Sequence, residues 1–109
     1  MQKFIVKKKI LLKMKNNTLA KAMVIKADGS VVTHYFKGPM ATLKEMQTLV
    51  NGLIEPIYLS ANETMFINEE WMVFNKTLNT AANSFLLRNN KPGYQVGGDV
   101  FVINNNYYD

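Results

Sequence analysis

The sequence predicts an α+β domain with a mostly antiparallel sheet and two short helices, in the order β-β-α-β-β-β-α-β. Short β-favouring runs alternate with turn residues, and two other stretches place apolar residues at helical spacing. The length of 109 residues suits one domain. Because the chain contains no cysteine, folds stabilised by disulfides and metal sites built from thiolates are excluded. With a single histidine, a histidine-based catalytic relay is not favoured.

A β-hairpin is predicted at residues 22–36. Residues 22–27 and 31–36 are β-favouring runs, and Asp28-Gly29 between them supplies the positive φ that a tight hairpin turn requires. Gly38-Pro39 then ends the second strand.

Capping signals predict the two helices. Thr42 followed by Glu45 forms a capping-box pattern, and Asn51-Gly52 offers a left-handed stop to the first helix. Apolar residues within 77–88 recur at helical spacing and predict the second helix. Asn79 then has two interpretations, as a helix cap or as a ligand-binding residue.

The remaining strands are predicted from apolar runs. Pro56 cannot donate to a ladder, so its strand belongs at an edge or a bulge. A second hairpin is expected to turn at residues 68–70, Gly97-Gly98 to form a bulge or a close backbone contact, and residues 104–109 to fray. The predicted strands are residues 53–59, 64–68, 71–74 and 96–103.

Charge is distributed unevenly along the chain. The first 26 residues carry eight lysines and no acidic residue, whereas five basic and eight acidic residues follow, so a leader of +8 precedes a body of −3. We predict a basic N-terminal arm or extra strand at residues 1–18 and a single domain at residues 19–109. Met14 is an alternative native start, which leaves open whether residues 1–13 belong to the protein.

The apolar stretches of the leader are too short for a signal-peptide core, and none approaches the length of a membrane span. The expected location is therefore the cytoplasm of a host cell, with no membrane partner. Long-range attraction to nucleic-acid phosphates would rest on the leader. Its candidate contacts are Lys7, Lys8, Lys9 and Lys13.

No catalytic constellation is evident. His34 lies within a predicted strand and is expected to be hydrogen-bonded or on the surface. Glu69 and Glu70 are adjacent on a predicted turn, where their carboxylates point apart and form a poor acid–base pair. We therefore expect no enzymatic activity, no cofactor and no metal.

Five short segments occur in a distinctive order: residues 23–29, 49–55 and 68–70, Asn79 with Ala82, and residues 98–100. In this order and spacing they resemble domain-of-unknown-function family 3846, a family of small phage and mobile-element domains, over residues 22–103. The resemblance implies a phage or plasmid context and no established activity. Polar positions that neither strand nor helix formation demands are candidate ligand-binding residues, and these are Asn68, Glu69, Asn79 and Arg88.

The preferred hypothesis is a non-catalytic phage or mobile-element accessory protein, with counter-defence as one role. It would bind a small anionic ligand, such as a nucleotide signal, or a host protein, and a homo-oligomer interface is one place for such a site. The alternative is a nucleic-acid-binding protein that uses the basic arm. A hydrolase that uses Glu69 or Glu70 with His34 is a third hypothesis, which the spacing does not support.

Overall fold

The computed structural model describes residues 19–109 and shows a five-stranded antiparallel sheet with one helix on each face. The predicted α+β class, antiparallel sheet and two helices are confirmed. The predicted basic arm and its four candidate lysines lie outside the described residues. The elements are β1 (Lys21–Ile25), β2 (Val31–Tyr35), α1 (Leu43–Val50), β3 (Ile54–Tyr58), β4 (Glu63–Asn68), α2 (Thr80–Arg88) and β5 (Val100–Asn104), followed by a 3-10 turn at Asn105–Tyr107.

The strand order is β2-β1-β5-β4-β3, so the last strand of the chain lies at the centre between two hairpins. Side chains on successive positions of a strand point to opposite faces, which gives the sheet two apolar layers. One layer packs Phe66 and Phe101 beneath Met46 of α1. The other packs Met65 and Val102 beneath Leu86 of α2. Two helices therefore cover two faces of one sheet.

The predicted hairpin turn and helix caps form as expected. Gly29 takes a φ of 95° in the β1–β2 turn, and Asn51 takes 58° where α1 ends. Hydrogen bonds from the Ser30 hydroxyl and N–H lower the pKa of Asp28 in that turn. At the start of α1, Thr42 and Glu45 form the reciprocal capping box.

Glu45 also fastens α1 to the chain that precedes it. One carboxylate oxygen accepts the Thr42 N–H and the other accepts the Lys37 N–H, both at 3.0 Å. These backbone hydrogen bonds, from Thr42 first and Lys37 second, lower the pKa of Glu45 below its ordinary value. The Glu45 carboxylate therefore joins the start of α1 to residues that lie within eight positions of it in the chain.

The expected strand at residues 71–74 does not form. β4 would have to be its partner, but β4 is already paired with β3 on one side and β5 on the other, so no ladder groups remain for a further strand. These residues instead make consecutive turns. The elements that do form follow the predicted order.

The C-terminal residues, which were expected to fray, are packed instead. The Ala41 N–H donates to the Tyr107 carbonyl at 2.6 Å, and the Tyr108 ring lies edge-on to Phe66 with centroids 5.0 Å apart. The Tyr108 hydroxyl lies 2.8 Å from the hydroxyl of the buried Thr64. Two tyrosines therefore provide apolar contacts that a polar tail would lack. Neither helix among residues 19–109 has the length and apolarity to cross a membrane.

Candidate functional site

The candidate site lies at the end of the sheet where β1 and β4 finish and β5 begins. The connection from β4 to α2 passes over this end. Its residues 69–78 are called the display loop below. Two buried asparagines, Asn68 and Asn79, stand directly before and directly after it, and both side chains are fully buried.

Asn68 fixes the start of the display loop. Its side-chain amide donates to the carbonyls of Val50 at 3.0 Å and Asn51 at 3.1 Å, and its side-chain oxygen accepts the Glu70 N–H at 2.7 Å. A Cβ on Gly52 would lie 2.5 Å from the Asn68 amide nitrogen, so only glycine permits this approach. The last turn of α1, the end of β4 and the loop are thereby joined by one side chain.

Asn79 fixes the end of the display loop. Its side-chain oxygen accepts the Ala82 N–H at 2.9 Å and so caps α2, as the capping interpretation predicted. Its amide donates to the carbonyls of Ile25 at 2.9 Å and Gly98 at 2.8 Å. Its own N–H donates to the Val96 carbonyl at 2.9 Å. A local helix cap is therefore also a tie between β1 and the segment before β5.

Gly97 and Gly98 form the floor beneath the display loop. A Cβ on Gly97 would lie 2.2 Å from the Trp71 ring, and one on Gly98 would lie 2.8 Å from the Lys76 side chain. The predicted close backbone contact at this glycine pair is thus present, and the atoms that approach it belong to the loop. An isolated bridge between Leu78 and Gly97 adds a backbone link.

The display loop is also closed by its own backbone. The Phe74 N–H donates to the Glu70 carbonyl at 3.1 Å, and the Lys76 N–H donates to the Trp71 carbonyl at 2.9 Å. Asn75 takes a left-handed φ of 51°, a conformation that asparagine adopts more readily than most residues. The arrangement is a single helical turn closed by a left-handed residue.

The tip of this anchored loop is apolar and exposed. Met72, Val73 and Phe74 are 71%, 74% and 63% exposed, and they are consecutive in the chain. We call these three residues the apolar tip. Isolated exposed apolar residues are ordinary on protein surfaces, but large contiguous ones mark interaction sites. Glu69 is exposed and Glu70 is half-buried beside the tip, which gives it an acidic flank.

The four positions proposed for ligand binding do not converge. Asn68, Glu69 and Asn79 lie at the same end of the sheet, but both asparagine amides are engaged in internal hydrogen bonds. Glu69 directs its N–H to the Leu53 carbonyl. Arg88 is exposed at the far end of α2, about 13 Å from Asn79 along a helix of this length.

A shallow cleft does lie beside the display loop. Its two lobes, of about 380 and 420 Å³, share Ala27, Thr77 and Asp99. Lys76 lines one lobe and Lys26 the other. Asp99 also lies here, but one of its oxygens accepts the Ala27 N–H at 2.9 Å. The cleft therefore offers two ammonium groups to a small ligand, together with carboxylates.

The residues of the hydrolase hypothesis are separated. His34 is on the edge strand β2, and Glu69 and Glu70 follow β4, so three strand spacings, about 14 Å, separate their strands. His34 is half-buried, and its ring meets that of Phe36 edge-on with centroids 4.8 Å apart. Within residues 19–109 no group of three or more histidine and carboxylate side chains could hold a metal ion.

Comparison of the chain with protein-family models, curated proteins and solved structures finds no match. Membership of domain-of-unknown-function family 3846 stays a prediction. The site is therefore defined by its own geometry.

The apolar tip was missed from the sequence because its four-residue apolar run, beginning at Trp71, was interpreted as a strand. A signal was nevertheless present. Each of its ends has a residue suited to a turn, Asn68 on one side and Asn75 on the other.

Proposed function

We propose that this domain is a non-catalytic binding protein of a phage or mobile element, and that it captures a host protein through the apolar tip. The observation that carries this proposal is a contrast within one loop. Three consecutive large apolar side chains face solvent, while the loop that presents them is tied at both ends by buried asparagines.

The energetic argument favours a partner of protein size. Burial of a large apolar side chain contributes about 1.5 to 3 kcal/mol, so three such side chains supply enough free energy for a binding hot spot. A loop that is already ordered loses less conformational entropy when it binds. The internal hydrogen bonds of the display loop and the Trp71–Gly97 contact provide this order.

The charge around the tip indicates the chemistry of the partner. Glu69 and Glu70 lie on one flank, and Lys76 follows the tip on the other side of Asn75. An apolar groove with lysine or arginine on its rim would complement the acidic flank. A counter-defence role would follow if the captured host protein acts in immunity against phages, and it rests on the resemblance described above.

The test compares the full-length chain with a triple variant, Met72→Ser, Val73→Ser and Phe74→Ser, as baits in a host-cell extract. A matched control, Leu43→Ser with Leu87→Ser, removes exposed apolar side chains elsewhere, since these residues are 58% and 63% exposed. We expect a host protein that is retained by the wild type and the control and lost by the triple variant. Equal retention by all three baits, or equal loss from both variants, would contradict the proposal.

A second candidate ligand is a small molecule with an anionic group, which Lys26 and Lys76 could pair with on the two lobes of the cleft, beside the carboxylates of Asp28 and Asp99. Calorimetric titration with linear and cyclic nucleotides tests this idea. We expect binding that weakens in a Lys26→Met, Lys76→Met double variant and persists in a Lys91→Met variant. Absence of heat with every nucleotide would remove the anionic ligand and leave the protein partner unaffected.

The nucleic-acid alternative depends on Lys7, Lys8, Lys9 and Lys13, which lie outside the described residues. Residues 19–109 hold seven basic and eight acidic side chains, so this part of the chain offers phosphate no net attraction. A salt-dependent affinity for DNA or RNA that is lost when the four lysines are replaced by glutamine would support the alternative. Equal affinity in that variant would remove it.

A further inference from the structure

The two edges of the sheet differ in their capacity to accept another strand. At one edge, β3 carries Glu55 and, at its centre, Pro56, which has no N–H to donate. At the other edge, β2 has the sequence VVTHY, without proline or a charged residue. Val31, Val32 and Tyr35 on β2 are 56%, 44% and 58% exposed. Within residues 19–109, one edge is therefore closed and the other is open.

The register of the first hairpin identifies the free groups on the open edge. The Lys26 N–H donates to the Ser30 carbonyl and the Phe36 N–H donates to the Ala20 carbonyl, both at 2.8 Å. Residues 30 and 36 therefore direct their polar groups toward β1 and its flanks. Because hydrogen-bonding direction alternates along an antiparallel strand, Val31, Thr33 and Tyr35 direct their N–H and C=O groups outward.

We propose that β2 pairs antiparallel with β2 of a second copy of this chain, about a two-fold axis at Thr33. In this register the outward groups of Val31 and Tyr35 meet those of Tyr35 and Val31 in the other copy, and Thr33 meets Thr33. All outward-facing groups of both strands are then hydrogen-bonded. The two five-stranded sheets become one continuous sheet of ten strands.

The side-chain pairs across the interface support a second copy of this chain as the partner of β2. The register places a β-branched valine opposite an aromatic tyrosine on one face and threonine opposite threonine at the axis, and both pairings are favourable across antiparallel strands. On the other face Val32 lies opposite His34. No like charges meet along the strand, which removes the usual device against edge pairing.

The residues that flank β2 add charge complementarity. Asp28 lies three positions before the strand and Lys37 two positions after it. Because the two β2 strands run antiparallel, the turn that holds Asp28 in one copy and Lys37 of the other copy lie at the same end of the interface, and this holds at both ends. Because β3 is closed by Pro56, the association stops at a dimer and cannot extend as a filament of sheets.

Sedimentation equilibrium of the full-length chain tests the dimer with charge variants at the axis. Thr33→Lys and Thr33→Glu each place like charges opposite each other, so each variant alone is expected to weaken dimerisation about tenfold or more. An equimolar mixture of the two is expected to restore a dimer, which also shows that both variants are folded. A Gln95→Lys control adds the same charge at an exposed position away from the edge and is expected to dimerise as the wild type does.

A second variant addresses the backbone bonds directly. Thr33→Pro removes one outward N–H and leaves the β1–β2 bonds intact, so it is expected to be folded and monomeric. A wild-type chain that is monomeric at all concentrations would overturn the proposal. This holds also if residues 1–18 of the same chain occupy the β2 edge. A dimer that survives Thr33→Lys, Thr33→Glu and Thr33→Pro equally would also overturn it.

Discussion

The display loop combines two regions of opposite character, its roots and its tip. At the roots, Asn68 and Asn79 are fully buried, and each side-chain amide donates two hydrogen bonds to backbone carbonyls. At the tip, Met72, Val73 and Phe74 face solvent. Polar side chains are inside and apolar side chains are outside, which reverses the usual distribution.

This reversal separates stability from recognition. A buried asparagine that satisfies backbone groups from several elements holds the fold together, so its loss leaves unpaired carbonyls. An exposed apolar side chain contributes little to folding, so its replacement is expected to change stability little. The comparison predicts that substitutions at the roots destabilise the protein and that substitutions at the tip leave its stability unchanged.

The largest expected effect is that of Asn79→Ala. The substitution removes the α2 cap and leaves the Ile25 and Gly98 carbonyls without their donor, and together these losses are expected to lower the free energy of unfolding by about 3 kcal/mol. Urea unfolding measures the change. Thr42→Ala, which removes only the exposed local cap of α1, is the matched control and is expected to lower it by about 1 kcal/mol. Equal losses would show that Asn79 acts as a local cap alone.

Asn68→Ala is expected to lower the free energy of unfolding by about 2 kcal/mol, because two carbonyls near the end of α1 and the Glu70 N–H lose their partners. Asn62→Ala, at an exposed position, serves as the control and is expected to change it by less than about 0.5 kcal/mol. If the two variants unfold at the same urea concentration, the start of the loop is not anchored as described.

Gly97→Ala tests the floor beneath the loop. The new methyl group would meet the Trp71 ring at 2.2 Å, so the ring must move, and a loss of about 1 to 3 kcal/mol is expected. Trp71 is the only tryptophan in the chain, so a red shift of its fluorescence reports the displacement directly. Gly38→Ala is the control, because nothing lies within 4 Å of the added Cβ. Unchanged emission in Gly97→Ala would place Trp71 elsewhere.

The smallest expected effect is a pH dependence of stability, which the α1 cap at Glu45 should show and the α2 cap at Asn79 should not. Hydrogen bonds from the N–H groups of Thr42 and Lys37 lower the pKa of Glu45, so its stabilising contribution is present above its ordinary pKa and is lost as the pH falls through the lowered value. The contribution is expected to be below about 1 kcal/mol, because solvent screens this exposed carboxylate. The stability difference between the wild type and Glu45→Gln should therefore shrink in acid.

The cap at Asn79 behaves differently because an amide does not titrate. The difference in unfolding free energy between the wild type and Asn79→Ala is expected to stay constant over the acidic pH range. Over the same range the difference between the wild type and Glu45→Gln is expected to shrink. Urea titrations at a series of pH values measure both. A parallel decline of the two differences would contradict the assignment of the pH dependence to Glu45.

Local signals predicted much of this fold. The Asp28-Gly29 turn, the Thr42–Glu45 box and the edge position of Pro56 each follow from a short-range rule, and each is present. At residues 71–74 the local signals compete, because an apolar run favours a strand while Asn68 and Asn75 favour turns, and the outcome depends on β4 having both neighbours already. Pairing partners are a property of the whole sheet.

The candidate site shows the same limit. Asn68 and Asn79 were identified as polar positions that secondary structure does not demand, and the structure shows the bonds that use them. Those bonds reach Val50 and Ile25, which are 18 and 54 residues away along the chain. Spacing within a sequence carries no information on such contacts, so an anchoring asparagine resembles a ligand-binding one until the fold is known.

The most direct test of the central claim is the dissociation constant of the host protein captured by the wild-type chain, measured with the wild type and with the triple serine variant of the tip. The account predicts a weakening of about 100-fold or more, together with an unfolding free energy that changes by less than about 0.5 kcal/mol. An unchanged dissociation constant in the folded triple variant would contradict it.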